Sequence, residues 1–333
     1  MSKINILAIE SSCDDTSAAI ISDGQVLSNC VFSQKIHEKY GGVLPEAASR
    51  AHQTSILPIV QEALSVANME LQDLSAIAFT RGPGLLGSLH VGVSFAKGLA
   101  LSLNLPMIAV HHIKAHVLAH FIEEPKPKFP FLCLTVSGGH TQIVLVKDYL
   151  DMEIIGSTID DAAGEAFDKT AKLLGLPYPG GPLLDKLAQQ GQAKYKFTEP
   201  QIANYDYSFS GLKTQFMRFL QQESATNPNF VQENMNDICA SVQERIVSFL
   251  MRKLHKAAKD YKIREIAIAG GVSANSGLRK AIEEYGKRYH WKTYIPKFQY
   301  CTDNAAMIAM MAHFLYEKGE FVTQEVQPLA RFD

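Results

Sequence analysis

His112 and His116, in the run Val110-His111-His112-Ile113-Lys114-Ala115-His116, stand four residues apart. On a helix both imidazoles therefore leave one face and can share a metal ion. The same spacing also suits two packed or solvated histidines, so a third ligand has to decide. A zinc peptidase needs a glutamate directly after the first histidine as general base, and Ile113 stands there, which removes most of the weight of that reading. Asp303, just after Thr302 as a candidate helix N-cap, has the right type for the third ligand, although a carboxylate there also complements a helix dipole. Two histidines and one carboxylate leave open coordination positions and suit Fe(II) as well as zinc.

A second chemistry is written in tight polar turns between apolar strands. Ile4 to Ile9 runs into Glu10-Ser11-Ser12-Cys13-Asp14-Asp15 and returns as Thr16 to Ile21, with Asp23-Gly24 as a hairpin turn. Phe131 to Val136 runs into Ser137-Gly138-Gly139-His140 and returns as Thr141 to Val146. Amides in such small-residue turns converge on an anion with no Cβ in the way, so each turn reads as a phosphate cradle, and one per half reads as a nucleotide clamp. Gly270-Gly271-Val272-Ser273-Ala274-Asn275 adds a strand-to-helix glycine turn. GxGxxG and GxxxxGK[ST] are both missing, which argues against a Rossmann site and a Walker ATPase. The clamp is instead the layout of the superfamily of actin, sugar kinases and heat-shock chaperone ATPases.

Between these turns, Asp160 to Thr170 gathers four carboxylates at a helix start. Asp160 and Asp161 suit helix-terminal roles, and Asp168, on the same face as Asp161, can reach a ribose or a metal. Pro179-Gly180-Gly181-Pro182 with Asp185 forms a rigid wall ahead of a helix. Ser208 to Thr214 and Tyr40 to Glu46 read as loops into helices.

The elements that position these groups alternate. A helix is expected over Pro45 to Ala67, a strand over Asp73 to Thr80, a small-residue helix over Leu86 to Leu103 and a strand over Met107 to Val110. Later come helices over Asp161 to Leu174 and Asn234 to Lys259, a strand over Glu265 to Ala269, and a last helix from Thr302 to Tyr316. The pattern predicts an α/β protein whose two actin-like lobes are duplicated βββαβα-type halves. The Pro-Lys stretch Glu124 to Lys128 places the boundary near residue 125, giving an N-terminal lobe over 1–125 and a C-terminal lobe over 126–333, with the last helix returning to the cleft.

The 333 residues are 47% hydrophobic and 20% charged, ordinary globular composition. No apolar run approaches the roughly 20 residues of a membrane span, and no signal pattern opens the chain, so a cytosolic protein is expected. Five scattered cysteines without CxxC spacing read as reduced thiols. The net charge of -2 argues against a uniformly basic nucleic-acid binder.

Taken together, the residues resemble the universal tRNA threonylcarbamoyladenosine transferases, once described as O-sialoglycoprotein endopeptidases. The resemblance is carried by Ile9 through Thr16, Tyr40 through Glu46, Arg81 through Gly84, His111 through His116, Thr135 through Thr141, Asp160 through Thr170, Tyr178 through Pro182, Ser208 through Thr214, Gly270 through Asn275 and Cys301 through Asn304. The Asp160 to Pro182 block looks like the bacterial branch. Lys114 with Ala115 departs from the Glu-Gly that bacterial relatives often carry, at a position that does not ligate metal in the family.

That resemblance implies transfer of the threonylcarbamoyl group from threonylcarbamoyl-AMP to N6 of adenosine 37 in tRNAs reading ANN codons, the t6A modification. His112, His116 and Asp303 would hold one divalent metal, typically Fe(2+), with zinc or Mg(2+) as alternatives. Thr135, Val136, Ser137, Gly138 and Gly139 would contact phosphate or acyl groups of the adenylate; Asp168, Gly181 and Asp185 would line the ribose, and Asn275 the adenine. Because the mixed anhydride is already activated, positioning and charge neutralisation suffice without a covalent nucleophile. Glu10 and Asp14 are catalytic or supporting candidates, or turn residues.

The implied partners are the tRNA anticodon arm, an inactive paralogue bound through the N-terminal lobe, and a small P-loop ATPase, with no membrane. A basic strip of Lys194, Lys196, Arg279, Lys280, Lys287 and Arg288 is expected to help hold the polyanionic arm. A plain kinase or ATPase of the same superfamily would leave the histidine pair and Asp303 unused.

Overall fold

The computed structural model describes residues 3–332, with the side chains of residues 35, 38 and 39 outside that description. Two compact units emerge, one comprising Met1–Lys126 with Pro296–Asp333 and the other Pro127–Ile295. The division falls one residue from the expected boundary. The C-terminal segment, which its place in the chain assigned to the second lobe, groups instead with the first unit.

The first unit is built on β1 (Asn5–Glu10), β2 (Asp15–Ser22), β3 (Gln25–Ser33), β4 (Ala76–Gly82) and β5 (Met107–His111), in sheet order β3-β2-β1-β4-β5. The first three strands form an antiparallel meander, whereas β4 and β5 join in parallel after crossover helices α1 (Pro45–Ala67) and α2 (Leu86–Leu103). Asp23 and Gly24 both take positive φ, 46° and 79°, as the β2–β3 hairpin turn demands. The strand expected over Asp73 to Thr80 begins later because Leu71–Asp73 closes a 3-10 turn with a reciprocal Glu70/Asp73 cap. The short helix α3 (His112–Leu118) follows directly on β5.

Strand alternation sorts the core of this unit. Leu7, Ile9, Ala18, Ile20, Ile77 and Phe79 share one buried cluster with Ile56, Val60, Val93 and Ala96 of α1 and α2. The alternate residues Ile6, Ala8, Ala19 and Ile21 are equally buried, and α9 (Ala305–Glu317) packs on the same strands. Its run from Ala305 to Ala312 is buried all round, which is why its sequence is apolar on every side. Burial of this helix draws the C-terminal segment into the first unit. Among the described helices, α2 alone has the length and apolar composition of a membrane span; its face of Ser88, Leu89, Gly92, Val93, Ala96 and Ala100 is buried against α1 and β4.

The second unit repeats the plan with β6 (Phe131–Val136), β7 (Thr141–Val146), β8 (Met152–Ser157), β9 (Glu265–Ala269) and β10 (Lys292–Tyr294), in order β10-β9-β6-β7-β8. Again three antiparallel strands are extended by two parallel ones. Helices α4 (Ala163–Leu173), α5 (Gly180–Ala188), α6 (Ser210–Thr226), α7 (Phe230–Tyr261) and α8 (Ser276–Tyr289) bury a core that includes Phe167, Leu184, Phe216, Phe249 and Leu278. The duplication expected from the two strand-turn-strand copies therefore extends to whole five-stranded sheets.

Candidate metal centre and nucleotide-binding turns

His111 starts the metal motif as the N-cap of α3, its side chain accepting from the Lys114 amide. The helix carries His112 and His116 out on one face, with ring centroids 4.8 Å apart and planes at 86°. Asp303 meets both rings. Its Oδ1 lies 3.3 Å from His112 Nε2 and 3.2 Å from His116 Nε2. One ligand atom from each of the three residues falls within 4.8 Å of the others. Donors at about 2.0–2.2 Å from a first-row cation stand roughly 3.0–3.5 Å from one another, so the donor types and the two Asp303 distances fit such an ion.

Asp303 is not the first residue of a helix. The expected Thr302 cap is replaced by Asn304, whose side chain accepts from the Met307 amide. The start of α9 is also tied down by Ser17, whose hydroxyl accepts from the Ala305 amide at 2.8 Å, and by Asn29, which accepts from the Ala306 amide at 3.1 Å. Strands β2 and β3 thereby fix the residue that precedes the cap. Neither Ser17 nor Asn29 stood out in sequence, although for Ser17 a buried polar residue beside the apolar run Ala18 to Ile21 is the available signal.

Glu10 lies beneath His112. Its Oε2 is 3.0 Å from His112 Nδ1 and accepts from the Thr80 hydroxyl at 2.5 Å, while Oε1 accepts from the Ser12 amide at 2.5 Å. The glutamate side chain is fully buried, and His112 is 9% exposed. Donation from Nδ1–H to the carboxylate reserves Nε2 as the nitrogen that a cation would take in place of its proton. His116 has no such support, because its Nδ1 is buried without a hydrogen-bond partner.

The electrostatics follow from this packing. Burial opposes the imidazolium of His112, yet Asp303 and Glu10 outweigh it and raise its pKa to about 10. Burial likewise opposes the Asp303 carboxylate, but the His112 charge and the bonds from both histidines hold it well below the usual carboxylate range. For His116 burial prevails over Asp303 and lowers the pKa. In the metal-free chain a proton on His112 thus holds the place of positive charge. Asp303 retains 23% side-chain exposure, so the centre is open on its carboxylate side, as a site that accepts an exogenous ligand must be. Asp14 lies half-buried in the turn after β1.

In the second unit the three sequence-marked turns converge. The Gly164 amide at the start of α4 donates to the Ser137 carbonyl at 3.2 Å, and a Cβ on Gly164 would stand 2.5 Å from that oxygen. Gly270, at φ 85°, brings the turn after β9 against Val136, leaving 2.5 Å between an added Cβ and the Val136 carbonyl oxygen. Gly138 and Gly139 are exposed and face open space. Thr135 and Val136 are buried at the end of β6.

The acidic candidates of this unit have partners of their own. Asp168 Oδ1 accepts from the Gly180 and Gly181 amides at 3.0 and 2.9 Å, fixing the glycine turn at the start of α5. Asp185 accepts from the Ser276 amide at 3.1 Å and from its hydroxyl at 2.5 Å, and Asn275 caps α8 through the Leu278 amide. Asp160 joins Ser208, Phe209 and Ser210, so the block after β8 is clipped to the start of α6. These bonds set the shape of the turns, while Gly138 and Gly139 stay exposed.

Paired meanders extended by parallel strands, with a histidine-carboxylate group able to hold a metal ion, define an actin-like ATPase-fold protein. Solved structures share that fold. HypF from T. kodakarensis matches with a TM-score of 0.66 at 15% identity, over 98% of this chain and 50% of that one. The (R)-2-hydroxyglutaryl-CoA dehydratase component A of Acidaminococcus fermentans matches with 0.56 at 16%, over 95% and 98%. A sequence model of tRNA N6-adenosine threonylcarbamoyltransferase matches residues 25–310, and the chain belongs to that family. Curated members include proteins of Riemerella anatipestifer, 60% identical over 98% of this chain and 97% of its own length, and of Cytophaga hutchinsonii, 57% identical over 98% and 96%.

Proposed function

We infer that the protein is a transferase that forms t6A, moving a threonylcarbamoyl group from threonylcarbamoyl-AMP to N6 of adenosine 37 in tRNAs reading ANN codons. The observation that carries this reading is the family match over 25–310 joined to the assembled His112, His116 and Asp303 group. A divalent ion, Fe(2+) by ligand type, would be held by those three residues and would supply positive charge to an anionic ligand. Around it Glu10 sets the His112 tautomer. Fully buried, with both oxygens occupied, Glu10 supports the centre rather than serving as a general base.

The adenylate is assigned to the second unit. Thr135 to Gly139 offers backbone donors to phosphate, Gly181 and Asp168 form the ribose wall, and Asp185 with Asn275 shapes the adenine side. Asp168 supports this role because the Gly180 and Gly181 amides both bond its Oδ1, which leaves Oδ2 to meet a hydroxyl. An inactive paralogue on the N-terminal lobe, a small P-loop ATPase and a cytosolic location complete the reading. Incubation of the metal-loaded chain and those partners with threonylcarbamoyl-AMP and unmodified tRNA, followed by nucleoside mass spectrometry, tests it. Absence of the adduct with active partners present rejects the reading.

A further inference from the structure

The charge of this chain is unevenly placed. Residues 252–264 and 276–292 carry eleven Lys and Arg against three acids, a formal +8 that leaves -10 on the rest of a chain totalling -2. Both segments belong to the second unit and meet where α7 packs on α8. On α7 the spacing of Arg252, His255 and Lys259 puts them on one face, and Lys262 follows at the C-cap. Four rings gather at the same place. His255 stacks on Tyr289 with centroids 3.9 Å apart and planes at 22°, and Trp291 lies 5.7 Å from Tyr289 and 5.8 Å from Tyr285. All four rings are only partly buried.

Helix dipoles account for Lys259, Lys287 and Arg288, which occupy last turns. They do not account for Arg264 or Lys262, or for a ring cluster bordered by cations. Several cations in these segments are already paired: Arg252 with Glu199, Lys256 with Asp260, Lys280 with Glu284 and Lys292 with Glu265. Lys259, Lys262, Arg264, Lys287 and Arg288 are exposed, and among the described residues none has an acid within ion-pair distance. Of the strip expected from sequence, Lys194 is spent on Asp237 at 2.6 Å and Arg279 donates to the Ser273 carbonyl.

We propose that the α7–α8 face is an RNA-binding surface, on which an unpaired base stacks against the Tyr289–His255–Trp291 cluster while Lys259, Lys262, Arg264, Lys287 and Arg288 take phosphates. The proposal rests on the tRNA-modifying reading above and names where that same substrate is held. Aromatic faces with interspersed cations are the chemistry of single-stranded and loop RNA, whereas an acidic protein would need the cations alone.

Trp291 is the only tryptophan of the chain, so its emission reports on the surface directly. The full chain is titrated with an unmodified tRNA transcript between about 50 and 200 mM salt, where phosphate binding weakens steeply. Saturable quenching of Trp291 is expected. Lys259→Glu with Arg264→Glu and Arg288→Glu should weaken binding ten-fold or more and flatten the log–log salt slope by roughly 0.7–0.9 for each phosphate that is no longer neutralised. Tyr289→Ala, which changes no charge, should weaken it by about ten-fold with unchanged circular dichroism. Wild-type affinity in the triple variant, no saturable binding at low salt, or unaltered Trp291 emission on binding overturns the proposal. Equal quenching by heparin overturns it too, by assigning the face to polyanions or acidic proteins at large. If the t6A adduct forms while Trp291 is silent, only this surface assignment fails; if quenching occurs and no adduct forms with partners present, the functional reading fails instead.

Discussion

His112 Nδ1 sits 3.0 Å from Glu10 Oε2, an interaction that closes across 102 residues of chain. It makes the two histidines of the HxxxH pair unequal, one aimed by a buried carboxylate and the other, His116, with a ring nitrogen that has no partner.

Glu10→Gln keeps the volume and an acceptor for Nδ1 but removes the charge. Loss of an outer carboxylate typically lowers metal affinity about 10–100-fold, and this change should fall in the lower half of that range. Competition with a chromophoric chelator measures it. An unchanged affinity would mean that Glu10 serves only the turn after β1.

Asp303→Asn removes the anion that, with Glu10, keeps the buried His112 charged. In the metal-free protein the His112 pKa should move from about 10 toward the ordinary imidazole range. The ring Cε1–H chemical shift followed against pH by NMR reads this without any metal or substrate. The same variant should lose most bound ion by elemental analysis, since two histidines alone make an incomplete site.

Two other histidines make folding less favourable as pH falls. His111 is pushed down to about 4 by burial; its Nε2–H donates to the Phe332 carbonyl and its Nδ1 accepts from Lys114, so a second proton has no acceptor. His52 is also lowered by burial, with its nitrogens on Thr16 and the Cys13 carbonyl. Both folded values lie below the unfolded value near 6.5, so the unfolded chain binds more protons between about pH 6.5 and 4 and stability falls as pH falls through that window. The loss is on the order of 1–2 kcal/mol for His111; because Asp15, raised to about 7 by burial, acts in the opposite direction, it is read as the difference between wild type and His111→Gln in urea unfolding at pH 7 and pH 5. His52→Gln should reduce the difference between the two pH values.

Gly164→Ala places a methyl group 2.5 Å from the Ser137 carbonyl oxygen, backbone against backbone, where no side chain can swing away. The N-terminus of α4 must retreat from the turn after β6. A cost of about 1–3 kcal/mol is expected, along with loss of adenylate binding in isothermal calorimetry. Gly138→Ala, whose Cβ meets open space, should leave stability within about 0.5 kcal/mol and separate the two effects.

Sequence alone determined whatever depends on neighbours along the chain. It placed α1, α2 and β9 at their observed limits, set His112 and His116 on one helical face, and marked the strand-turn-strand copies that repeat in both units. It also marked a last helix ending near Tyr316. Only the tertiary structure decided that Asn304 rather than Thr302 caps that helix, that Ser17 and Asn29 hold its start, and that Asp303 reaches His116 from 187 residues away. The physical reason is range. Helical spacing and turn chemistry act over a few residues, whereas the meeting of β1, α3 and the start of α9 is fixed by strand register and by burial of a helix that closes a loop of nearly the whole chain.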